Sequence, residues 1–121
     1  AVRLAPKMAE AYLARGGSFH ELGEHEKGLA DRSEAIRLSP KSGEAWLARG
    51  SAYYLLGRYR KAVADLATAL ELQPNDSETQ TVFEKAKGKL VEQVIAEERS
   101  GTAVQDEGKP LQVVNLPEPA K

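Results

Sequence analysis

Two arginine–aspartate couples recur at one separation: Arg15 with Asp31 and Arg49 with Asp65, each 16 residues apart. A guanidinium is permanently charged, and its planar fork matches a carboxylate with two hydrogen bonds. Each arginine stands among apolar neighbours, where a buried cation needs a paired anion. The repetition therefore predicts one structural bridge per unit rather than a ligand site. His20 and His25 bring imidazole chemistry. Their spacing of five puts them on different faces of a helix, or one of them in a turn. No Ser–His–Asp grouping, metal-ligand cluster or phosphate-binding loop accompanies them. Without cysteine, thiol and disulfide chemistry is excluded as well. The expectation is a chain that is not an enzyme and takes no cofactor and no metal.

Composition narrows the partners. The 121 residues are 41% apolar and 29% charged, an ordinary soluble composition with enough material for one continuous core. A formal net charge of −1 gives no electrostatic reason to expect nucleic acid or an anionic membrane surface. No apolar run approaches the roughly 20 residues of a membrane span.

The elements that must position these residues come in two copies. Laid over residues 43–76 without gaps, residues 9–42 agree at about fourteen positions with a constant offset of about 34. Glu10 meets Glu44, Leu13 meets Leu47, Arg15 meets Arg49, Gly16 meets Gly50, Gly23 meets Gly57 and Pro40 meets Pro74. His25 falls where Tyr59 stands, so packing accounts for it. Each copy reads as two amphipathic helices, from about Met8 to Leu22 and Glu26 to Leu38, then about Gly43 to Leu56 and Arg60 to Leu72. Gly23 and Gly57 accept the left-handed geometry that ends a first helix, and Pro40 and Pro74 stop the second.

This text resembles the tetratricopeptide repeat, whose pattern of aromatic, small residue, aromatic, Ala, Ala and Pro is met by Trp46, Gly50, Tyr53, Ala62, Ala69 and Pro74. The earlier copy carries Tyr12, Gly16, Phe19, Ala35 and Pro40, and departs with Gly28 at the place of Ala62 and Arg32 at the place of Leu66. The physics behind the pattern is close approach: a glycine on the first helix leaves room for a small residue on the second, and aromatics fill the remaining space. The resemblance implies an all-α fold, a right-handed α–α superhelix of two helical hairpins plus a C-terminal capping helix.

The domain expectations follow. Residues 1–8 read as the remnant of a preceding repeat, because AVRLAP echoes AIRLSP at residues 35–40, and the chain reads as cut from a longer array. Residues 9–42 and 43–76 are the repeats. Residues 77–99 form the capping helix, with Asn75, Asp76 and Ser77 as N-cap candidates. Its length exceeds that of a repeat helix, and the extra turns carry Val91, Val94 and Ile95. They either pack on the end of the second hairpin or the tail, or form a docking ledge. Residues 100–121 lose the helical period and read as a tail, flexible or docked in extended form through Leu111, Val113, Val114 and Leu116.

The family places the first helix of each pair on a concave surface. That implies a peptide site from Glu10, Leu13, Ala14, Gly17, His20 and Glu21, then Glu44, Leu47, Ala48, Ser51, Tyr54 and Leu55, then Glu78, Thr81, Val82 and Lys85. Members that clasp the acidic C-termini of heat-shock chaperones use Lys, Asn and Arg in this groove. The matching positions here hold Leu13, Gly17, Ala48, Glu78 and Val82, and the glutamates would repel such a tail. The implied function is a protein–protein interaction scaffold whose partner is a peptide segment, basic or apolar rather than an acidic C-terminus. The competing expectation is a homodimer formed through the N-terminal face, the cap helix or the tail. A cytoplasmic setting is favoured, any N-terminal targeting region lying outside the residues read.

Overall fold

A computed structural model describes residues 4–101, with side chains from Lys7 onward. The expectations for the first three residues and for the tail beyond Gly101 lie outside the described residues. Five helices follow one another: α1 (Leu4–Glu21), α2 (His25–Leu38), α3 (Gly43–Leu55), α4 (Tyr59–Leu72) and α5 (Ser77–Ser100). No strand occurs among the described residues, and none of their helices is long and apolar enough to cross a membrane. The fold is an all-α helical repeat. α1 begins nearer the N-terminus than the expected start at Met8, and its opening turn includes Pro6, a position where a missing N–H costs no helical bond.

The turns form as their residues dictate. Gly23 and Gly57 take φ of 82° and 79°, reversing the chain from first helix to second in each pair. Ser42 caps α3 by accepting a bond from the Ala45 N–H at 3.2 Å. Asp76, one repeat later, caps α5 through the Thr79 N–H at 2.9 Å. The connections between pairs are held by a second recurring bond. Trp46 Nε1 donates to the Pro40 carbonyl at 2.8 Å, and Gln80 Nε2 donates to the Pro74 carbonyl at 3.0 Å. Gln80 thus replaces the aromatic expected at that position and keeps its hydrogen bond.

Packing falls into two clusters rather than the single core that the composition led one to expect. Ala9, Ala35, Ile36 and Ala45 form the first, with Tyr12, Leu13, Leu38 and Trp46 against it. Ala62, Leu66 and Ala86 form the second, with Leu47, Tyr53, Val82 and Phe83 among its neighbours. Alanines dominate because the helices lie close together. In the first pair the approach is backbone to backbone: a Cβ on Gly28 would stand 2.8 Å from the Gly16 carbonyl oxygen. In the second pair a Cβ on Gly50 would stand 2.8 Å from Leu66 Cγ. Gly28 is therefore a packing residue inside an unbroken α2.

The predicted bridges form, both bidentate. Arg15 Nε and Nη2 reach Asp31 at 2.8 Å each, and Arg49 Nε and Nη2 reach Asp65 at 2.7 and 2.9 Å. Beside its guanidinium partner, Asp31 is held below the usual carboxylate range. Arg49 also donates to Ser33 Oγ at 3.0 Å, tying α3 to α2 across the pairs. Each guanidinium lies over two rings of its own first helix, Tyr12 and Phe19 for Arg15, Trp46 and Tyr53 for Arg49.

α5 differs from the repeat helices in polarity. Where α3 presents Gly50 and Tyr53 to α4, the same offset places Glu84 and Lys87 on α5. A glutamate in place of the glycine leaves no room for a close second helix. The outer turns of α5 are pinned back on the start of α4 by Glu97, which is buried and accepts from Arg60 at 2.9 and 3.2 Å and from Gln93 at 3.0 Å. Polar groups make this dock, and Val91, Val94 and Ile95 face away from it.

Candidate functional site

α3 presents Glu44, Leu47, Ala48, Ser51 and Leu55 along one side, the i, i+3, i+4, i+7, i+11 positions of a helix. They line a cleft of about 490 Å³, with His20 of α1, Arg32 of α2, Gln73 and Asp76 of the α4–α5 connection, and Glu78 of α5. Of the residues expected at a peptide site, His20, Glu44, Leu47, Ala48, Ser51, Leu55 and Glu78 come together here. The remainder lie outside the cleft. Glu10, Ala14, Glu21, Thr81 and Lys85 are exposed, Leu13 packs on the first cluster, and Val82 packs on the second. Gly17 lies beside the head of Arg32, and Tyr54 is half-buried on the second cluster with its ring 5.8 Å from that of Tyr59.

Charge in the cleft is divided. Glu44 and Glu78 stand in the first turns of α3 and α5, and Asp76 caps α5, so the carboxylates gather where those helices begin. Bonds from the Thr79 hydroxyl and backbone N–H hold Asp76 below the usual carboxylate range, keeping it anionic. His20 and Leu55 mark the opposite end, where α1 and α3 finish. Leu55 is 66% exposed, a large apolar side chain with open cleft in front of it.

Arg32, Ala52, Gln73 and Asp76 are the cleft residues that sequence reasoning did not place there. Arg32 carried a signal, since it breaks the repeat where Leu66 stands in the second copy. Its stem crosses α1 at Gly16 and its head lies by Gly17. Its Nε is buried with no hydrogen-bond partner among the described residues, and burial pushes the guanidinium pKa down.

His20 and His25 lie on either side of a turn, and they meet because Gly23 reverses the chain between them. Their Nδ1 atoms are 2.8 Å apart and their ring centroids 4.4 Å. The pair occupies the place of Tyr54 and Tyr59 in the second repeat. Burial first, then the neighbouring His25 and Arg32, lower the pKa of His20. Among the described residues no group of His, Cys, Asp and Glu is assembled for a metal ion.

The family model of the tetratricopeptide repeat matches residues 43–76. A comparison with curated proteins gave no match.

Proposed function

Taking residues 43–76 as a tetratricopeptide repeat, a unit that generally mediates protein–protein interaction, we propose that the chain is a scaffold binding an extended peptide or helix on its concave face. The observation that carries this reading is the continuous α3 face, with Leu47 and Leu55 set in a cleft open enough for a peptide. Apolar side chains of the ligand would pack on those leucines. The carboxylates of Glu44, Asp76 and Glu78 favour a basic residue at their end and oppose an acidic C-terminus. Arg32, whose guanidinium is a donor group in the cleft lining, suits a backbone carbonyl of the ligand. Binding would come from complementary shape and main-chain hydrogen bonds, with charge setting direction and specificity.

Selection of peptides from a displayed random library tests the reading. Peptides enriched on the chain should combine basic and apolar residues, and Leu55→Glu with Glu44→Lys should weaken them at least about tenfold. Both side chains are exposed or at the cleft rim, so helicity should not change. Unaltered capture by that double variant would refute the site.

A further inference from the structure

The outer half of α5 carries a side that nothing in the described chain covers. Lys87, Val91, Val94, Ile95 and Glu98 fall on it at helical spacing. Val91 is 57%, Val94 36% and Ile95 45% exposed. Ala86, Gln93 and Glu97 face the core and α4, so this side is turned away from the body. It continues the side on which α3 receives α4, a helix with no counterpart on α5 among the described residues.

We infer that this side is an interface between two copies of the chain, in which the α5 helices lie antiparallel about a two-fold axis passing between residues 92 and 93. The order of charge along the stripe argues for a second copy. Lys87 stands at one end and Glu98 at the other, equidistant from that axis. In the antiparallel pair Lys87 meets the second copy's Glu98, Val91 meets the second copy's Val94, and each contact is made twice. A parallel pair would set Lys87 against Lys87 and Glu98 against Glu98, a repulsive arrangement. The antiparallel direction is also the one that the two helices of each hairpin use. Valine and isoleucine hold one rotamer on a helix and lose little freedom on contact. The Glu97–Arg60 bridge fixes these turns in place beforehand.

Glu84 bars a close helix from the inner half of α5, which confines the contact to the outer turns. The area is then below the roughly 1,200 Å² of a stable complex, and the dimer is weak and concentration-dependent.

Sedimentation equilibrium of the 121-residue chain, from about 10 μM to about 1 mM, tests the inference over the range of a weak interface. The average mass should climb from 13.1 kDa toward twice that value. Ile95→Glu should hold it at the monomer with unchanged helicity. Lys87→Glu or Glu98→Lys alone should weaken association at least about tenfold, and the two combined should restore it. A monomer at every concentration would overturn the inference, whether residues 102–121 or a different protein covers the stripe. So would a dimer indifferent to Ile95→Glu, or one that the double charge reversal fails to restore.

Discussion

At the scale of residues, equivalent positions in the two repeats solve one problem with different chemistry. Tyr54 and Tyr59 pack their rings across the turn, and His20 and His25 do the same with imidazoles that can also titrate. Their 2.8 Å contact needs one Nδ1–H and one bare Nδ1, so it fails when both rings carry two protons. Because the folded state lowers the pKa of His20 from an ordinary value near 6.5, the unfolded chain binds its proton more readily. The stability this group contributes is complete above that ordinary value. It is lost as the pH falls through it toward the depressed folded-state value. Chemical denaturation between about pH 7.5 and 5.5 should show the decline, a window that precedes most carboxylate titration. His20→Tyr with His25→Tyr, which copies the second repeat, should flatten it. A wild-type profile already flat there would contradict this account of the pair. The contact itself was not legible from spacing, because a five-residue interval on a continuous helix separates side chains and only the turn at Gly23 reunites them. The Arg15–Asp31 and Arg49–Asp65 bridges were legible, because their need for each other appears twice at one interval.

At the scale of elements, glycine has opposite meanings in α2 and α5. Gly28 lies where two helix backbones touch, and its added Cβ would fall 2.8 Å from the Gly16 carbonyl. Gly88 in the middle of α5 has nothing within 4 Å of an added Cβ. Alanine gains helix propensity of about 1 kcal/mol at either site. At Gly88 that gain should appear nearly whole as a higher denaturation midpoint. At Gly28 the clash with backbone outweighs it, and Gly28→Ala should destabilise by about 1–3 kcal/mol, the usual range for overpacking. Equal effects from the two substitutions would show that the α1–α2 approach is looser than described. The helix pattern of α2 could be read despite Gly28, but the reason for the residue could not, since it lies on the facing helix. The length of α5 was likewise visible in its period. The way its outer turns attach was not: the apolar residues attracted notice, yet Glu97, which also accepts from Gln93 of its own helix, makes the contact with Arg60 on another helix.

At the scale of the whole molecule, the repeat offset carries most of the architecture. Two passages that agree at about fourteen positions with one constant offset form the same unit twice, and the glycines and prolines at their joints state where each helix stops. The cleft was legible to the extent that it follows from that repetition: Glu44, Leu47, Ser51 and Leu55 lie on one side of α3 by periodicity alone. Arg32, Gln73 and Asp76 reach it from a second helix and a connection, which no single-helix pattern describes. Tyr54 was drawn to the opposite outcome, into the second cluster, by its partner ring on Tyr59. A proposed binding surface assembled from four helices and a connection is best tested by mapping it directly. The decisive measurement is the change in backbone amide NMR shifts of the chain on titration with a library-selected basic–apolar peptide. The account predicts the largest shifts at Leu47, Ser51, Leu55 and Glu78, with little change along the outer turns of α5. Shifts concentrated on the α2 and α4 surfaces turned away from the cleft, with the α3 face undisturbed, would contradict it.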